Sequence, residues 1–118
     1  MGLLSKEIEA QVRKLSSADI IVGIPSYNNS RTIARVVEAM ASGLKKYFPE
    51  LKSIIINSDG ASIDSTTYKF MNSHTPRGIT KLAINYSGPP GKGSALKTVF
   101  EIAKMLGAHI CVVMRIGR

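Results

Sequence analysis

Asp19-Ile20-Ile21-Val22-Gly23-Ile24-Pro25 is the stretch that decides the fold. β-Branched residues fill it and a proline closes it. A continuous apolar run without polar alternation has no solvent face, so it reads as a buried strand. The polar residues Ser26 to Asn29 follow, then Ile33, Val36, Val37, Met40 and Leu44 recur at helical spacing. Asn29 or Ser30 can cap that helix through a short side-chain oxygen, and Pro49 marks its end.

The same alternation continues outward. Leu51 to Asn57 is a second buried strand, centred on Ile54-Ile55-Ile56. Ser58-Asp59-Gly60-Ala61-Ser62 has turn chemistry, and Asp64 or Ser65 can cap a short helix through Tyr68, Phe70 and Met71. Thr80 to Tyr86 is a third strand, mixed in polarity and so nearer an edge. A Gly/Pro-rich loop, Ser87 to Gly93, leads into a helix over Ser94 to Leu106. Its inward face is expected to be Leu96, Val99, Phe100, Ala103 and Leu106, and Gly107 stops it. His109 to Met114 is a fourth, strongly apolar strand, expected to be buried. Cys111 is then a small buried hydrophobe and His109 a hydrogen-bonded structural residue. Ahead of all this, Lys6 to Leu15 reads as an amphipathic helix with Leu4, Ile8, Val12 and Leu15 on one face.

Strands alternating with helices imply an α/β fold: a Rossmann-like, mostly parallel sheet of about four strands with helices on both faces. The chain of 118 residues is expected to be one domain, with an N-terminal helix over 1–18, an α/β core over 19–114 and a tail over 115–118.

Composition narrows the function. The chain is 44% hydrophobic and 20% charged, as soluble globular domains are. It has neither an apolar run of about 20 residues nor a signal-peptide stretch, and Lys6 breaks the myristoylation pattern. The expected location is the cytoplasm, with no membrane partner. A single cysteine excludes an intrachain disulfide, which fits a reducing compartment. The net charge of +8 favours anionic partners such as nucleotide phosphates, nucleic acid or phosphorylated acceptors. The bases are dispersed and no RNP-like aromatic motif accompanies them, which ranks nucleic acid second.

Ligands of such sheets bind at the carboxyl ends of the strands. Three polar loops stand there: 26–29, 58–62 and 87–93. Gly88-Pro89-Pro90-Gly91-Lys92-Gly93-Ser94-Ala95 is not a Walker A loop, G-x-x-x-x-G-K-S/T, because Ser94 and Ala95 stand where Lys and Ser or Thr are required. A glycine-rich loop with one lysine can still cradle a diphosphate.

Taken together the loops resemble those of family 2 glycosyltransferases of the GT-A type. Pro25-Ser26-Tyr27-Asn28 is similar to the P-x-Y-N opening of that family. Asp59-Gly60-Ala61-Ser62-Ile63-Asp64-Ser65-Thr66 resembles its D-G-S-x-D-x-T turn with one extra residue. Gly91-Lys92-Gly93-Ser94-Ala95-Leu96 resembles the G-K-G-x-A-L segment of the branch that includes glucosyl- and mannosyl-3-phosphoglycerate synthases. The resemblance runs roughly from Asp19 to Met114 and covers the nucleotide-binding half.

The resemblance implies a UDP- or GDP-sugar as partner. Pro25, Ser26 and Tyr27 would line the base, and Asp59 would contact base or ribose. Gly60 and Gly93 would allow close backbone approach, with Lys92 over the nucleotide. Asn29 stands where the family often carries the Glu of a ribose contact, an exchange that removes a charge. The family also uses Mg²⁺ or Mn²⁺, held by an Asp-x-Asp motif after the fourth strand. Here Arg115 and Arg118 occupy that region, so no metal ligand and no catalytic residue is assigned. The expectation is a donor-binding half that does not turn over as written. The rival expectations are a non-enzymatic basic nucleic-acid-binding module and a self-associating module that forms homo-oligomers.

Overall fold

A computed structural model of the chain describes residues 5–60, 62–85 and 92–116, without the side chains of residues 92–94. The element order is α1 (Lys6–Leu15), β1 (Ile20–Ser26), α2 (Ile33–Tyr47), β2 (Ser53–Asp59), α3 (Thr66–Met71), β3 (Ile79–Asn85), α4 (Lys92–Leu106) and β4 (Ile110–Val113). The four strands form one parallel sheet in the order β3-β2-β1-β4. This is the α/β, Rossmann-like architecture expected from the alternation.

Strand order dictates where the helices lie. The chain steps from β1 to β2 to β3, then crosses back to place β4 on the far side of β1. Right-handed crossovers put helices on opposite faces when the direction of travel reverses. Accordingly α2 and α3 cover one face and α1 and α4 the other. The reversal opens a topological switch point between β1 and β4, at the carboxyl ends of the strands.

Side chains alternate across the sheet, so each strand feeds two cores. Ile21, Ile54, Ile56 and Ile84 pack under Val12 of α1 and Val99 and Ile102 of α4. Ile20, Val22, Ile24 and Ile55 pack under Ile33, Val37, Ala41 and Leu44 of α2 and Phe70 of α3. Gly23 is the notch that seats α4. A Cβ there would lie 2.5 Å from Val99 Cγ1.

Pro25 sits inside a central strand at no loss of ladder bonding. Gly23 O accepts from Met114 N at 2.9 Å, so the backbone groups of Gly23 face β4. Pro25 has the same parity, and its missing N–H would point past the end of β4.

Several local expectations need correction. β2 begins two residues later than Leu51 and runs through Asp59, so Ser58 and Asp59 are buried strand residues rather than turn residues. Neither Asn29 nor Ser30 caps α2 through its side chain. Thr32 holds the cap position without a side-chain bond, and Asn29 O accepts from the Thr32 and Ile33 amides. In α4 the inward stripe is Ala95, Val99, Ile102, Ala103 and Leu106, and Phe100 is 51% exposed. Val99 in the Gly23 notch fixes that rotation, which turns Phe100 outward.

The largest correction concerns β4. His109 and Cys111 are exposed, and Ile110 and Val112 are 43% and 41% exposed. β4 pairs only with β1, among the described residues, and spans four residues. An apolar run at a sheet edge buries one side at most. β3, expected near an edge, forms the opposite edge. α1 spans Lys6–Leu15 and Gly107 ends α4 at φ 67°, both as the sequence reads, and the structure adds a cap in which the Ser5 hydroxyl accepts from Ile8 N at 3.2 Å. No described helix is long and apolar enough to cross a membrane.

Candidate functional site

The carboxyl ends of β1 and β2 are joined by a buried polar chain. Asn57 Nδ2 donates to Ile24 O at 3.1 Å and to Ser26 Oγ at 2.7 Å. Ser26 Oγ donates to Asp59 Oδ1 at 2.8 Å. Ser62 closes the chain from the other side, donating from Oγ to Asp59 Oδ1 at 2.6 Å and from N to Oδ2 at 2.7 Å. Asp59 is 2% exposed, so its charge is held by three donors from the chain itself. Asn57 Oδ1 is fully buried at this network and has no hydrogen-bond partner among the described residues.

The two loops beyond the strands brace each other. Asn28 N donates to Ser62 Oγ at 2.8 Å, and Ile63 N returns a bond to Asn28 Oδ1 at 3.0 Å. Asn29 N donates to Thr66 Oγ1 at 2.9 Å, and Ser30 N to Asp64 Oδ2 at 3.2 Å. Asp64 Oδ1 accepts from both the amide and the hydroxyl of Thr66. The Thr66 hydroxyl lowers the Asp64 carboxyl below its ordinary value, and the Thr66 and Ser30 amides act in the same sense against partial desolvation. Asn28 takes φ 54°, a left-handed conformation that asparagine tolerates. Tyr27 N donates to Asn29 Oδ1 at 2.9 Å, and the Tyr27 side chain is 61% exposed above the brace.

These contacts place the residues singled out in the sequence. Ser26 and Asp59 touch directly. Pro25 lies opposite Ser58 in the ladder, and Gly60 N donates to Ser26 O at 2.9 Å. Tyr27 and Asn29 lie in the braced loop. Lys92 and Gly93 form the first turn of α4, while their side chains and residues 86–91 of the glycine loop lie outside the described residues. Ser58 Oγ donates to Ala95 O at 3.2 Å, which ties that first turn to the carboxyl end of β2. The first two loops and the first turn of α4 therefore converge at the carboxyl ends of β1 and β2.

Asn57, Ser62 and Thr66 are the residues that sequence reasoning missed. Asn57 left a signal, being an amide at the end of an isoleucine run. Ser62 and Thr66 left theirs as the Ser and Thr of the D-G-S-x-D-x-T resemblance, which gave them no role of their own.

The donor set at this edge does not suit a divalent cation. Asp59 and Asp64 are engaged by hydroxyl and amide donors, and the basic Arg115 follows β4. Among the described residues no group of three or more His, Cys, Asp or Glu side chains could hold a metal ion. No chemical step is therefore routed through Mg²⁺ or Mn²⁺.

No family model, no curated protein and no solved structure matches the chain.

Proposed function

We infer that the chain is the donor-binding domain of a glycosyltransferase, taking a nucleoside diphosphate sugar at the carboxyl ends of β1 and β2. One observation carries the reading: the Ser26–Asp59–Ser62 network joins the two loops, and Ser58 holds the first turn of α4 beside them. A shelf cross-linked before binding loses little conformational freedom on taking a ligand. The exposed ring of Tyr27 is the stacking surface for the base. Asp59 positions the shelf from beneath, in place of the direct base contact that the resemblance implies. The glycine segment and Lys92 take the diphosphate, where the start of α4 favours negative charge. The reading includes a cytoplasmic location, where Cys111 stays reduced.

Calorimetric titration of UDP, GDP and ADP into the chain tests this. The expected result is saturable binding of one diphosphate, weakened about tenfold or more by Tyr27→Ala, as loss of one stacked base implies. Lys92→Ala is expected to weaken diphosphate binding and leave nucleoside binding unchanged. Absence of saturable binding by a folded chain would end the donor-binding reading. Binding of generic RNA with a steep salt dependence would replace it by the nucleic-acid reading.

A further inference from the structure

α2 carries more apolar surface than the sheet uses. Ile33, Val37, Ala41 and Leu44 are buried against the sheet. A second stripe of Val36, Met40, Gly43 and Tyr47 runs beside them at helical spacing. It walls an open apolar trough of about 430 Å³, with Met114 on the far side. The parallel register puts Ile110 and Val112 on the same sheet face as Ile20 and Val22, so β4 extends the floor. None of the described helices packs over that half of the face.

The shape fits a helix. A sheet face flanked by one helix is covered by a second lying about 10 Å from the first. Gly43 supports a close approach, because a Cβ there would meet nothing within 4 Å.

The rim decides the chemistry of the occupant. At 100° per residue, Arg35 and Lys46 border the stripe on its solvent side. Glu38 lies on the other side of α2, where its carboxylate accepts from His74 N at 2.8 Å. Arg35 and Lys46 therefore make the solvent-side rim basic. A second copy does not complement them, because α1, α2 and α4 each carry more basic than acidic residues and the chain is +8. Like charges would face each other across such a dimer.

We propose that the trough between α2 and β4 is a docking groove for an amphipathic helix with an acidic polar face, supplied by a partner polypeptide. The apolar stripe of that helix lies on Met40, Gly43 and Met114, and its carboxylates meet Arg35 and Lys46. This inference is independent of the nucleotide reading, since no residue lining the groove belongs to the braced loops.

The probe is a fluorescein-labelled peptide of about 18 residues, with Leu at helical spacing and Glu on the polar face. Its anisotropy is read against the intact chain. Saturable binding is expected, weakening as salt rises from about 50 mM to about 300 mM. Ala39→Glu changes an exposed position and Gly43→Glu a half-buried one outside the core, and circular dichroism checks that the fold is kept. Each is expected to weaken binding about tenfold or more, a loss of at least about 1.4 kcal/mol. Arg35→Glu with Lys46→Glu is expected to weaken it further. Equal binding of a scrambled peptide, or no effect of these variants, would overturn the proposal. So would variant-sensitive binding to phosphatidylserine vesicles without peptide binding, which assigns the surface to a membrane. A variant-sensitive, concentration-dependent mass without peptide binding would assign it to a second copy and overturn it equally.

Discussion

The two edges of the sheet bury less and more than their apolar content would suggest: β4 less, β3 more. β3 contains the charged Lys81 and mixed polarity, yet Leu82 and Ile84 are buried and α3 lies against it. β4 is almost wholly apolar, yet three of its four residues are exposed. Lys81 shows how β3 manages its charge. Its ammonium donates to the carbonyls of Phe70, Met71 and Ser73 at the end of α3, at 3.3, 2.8 and 2.7 Å. A charged side chain there closes a helix end, while Ile110 and Val112 on the α2 side of β4 stay exposed among the described residues. Apolar character measures what a strand is able to bury, and its neighbours decide whether it does.

The sharpest break of this comparison is a matched pair of truncations. Ile84→Ala on β3 is expected to cost about 2–5 kcal/mol by urea unfolding, from lost transfer energy and a residual cavity. Val112→Ala on β4 is expected to cost less than about 1 kcal/mol. Equal losses would mean that β4 is covered in solution.

Gly23→Ala probes the strand between the two edges and is expected to cost about 1–3 kcal/mol, because the stiff Val99 side chain must move. Val99→Ala in the same chain is expected to relieve part of that loss, a coupling that a double-mutant cycle reads out. Additive losses would separate Gly23 from the seating of α4.

Lys81→Met removes the closure of α3 and is expected to cost about 1 kcal/mol, since the ammonium is partly screened by solvent. Burial pushes the Lys81 pKa down, and Glu38 opposes that shift. Hydrogen exchange should localise the loss to the end of α3.

The smallest effect is a pH dependence at the loop brace. The folded Asp64 carboxyl titrates below its ordinary value. Its contribution is therefore present above about pH 4 and is lost as the pH falls through the depressed value. Amide exchange at Ser30 and Thr66 should rise over that window, and Asp64→Asn should remove the pH dependence. An unchanged profile in that variant would assign the acid sensitivity to another group.

Much of the framework was legible because period and punctuation are local properties. The isoleucine runs, the α2 spacing and Gly107 specify elements without reference to anything distant. The site was legible only in outline. Pro25, Ser26 and Asp59 stood out as residues at strand ends, but that Asp59 is enclosed by Ser26 and Ser62 depends on partners 33 and 3 residues away. On α4 the sequence placed Val99, Ala103 and Leu106 inward correctly but Phe100 wrongly, because the rotation is set by Gly23, a residue of a strand.

By itself the sequence determined that this chain is a strand–helix alternation with a parallel sheet and polar loops at one edge. Hydrophobic period and turn chemistry act over a few residues and need no partner. Only the tertiary structure decided which apolar surfaces are buried and which polar groups are engaged. Burial is a property of pairs of surfaces brought together by the strand order β3-β2-β1-β4, and no single segment encodes its own neighbour.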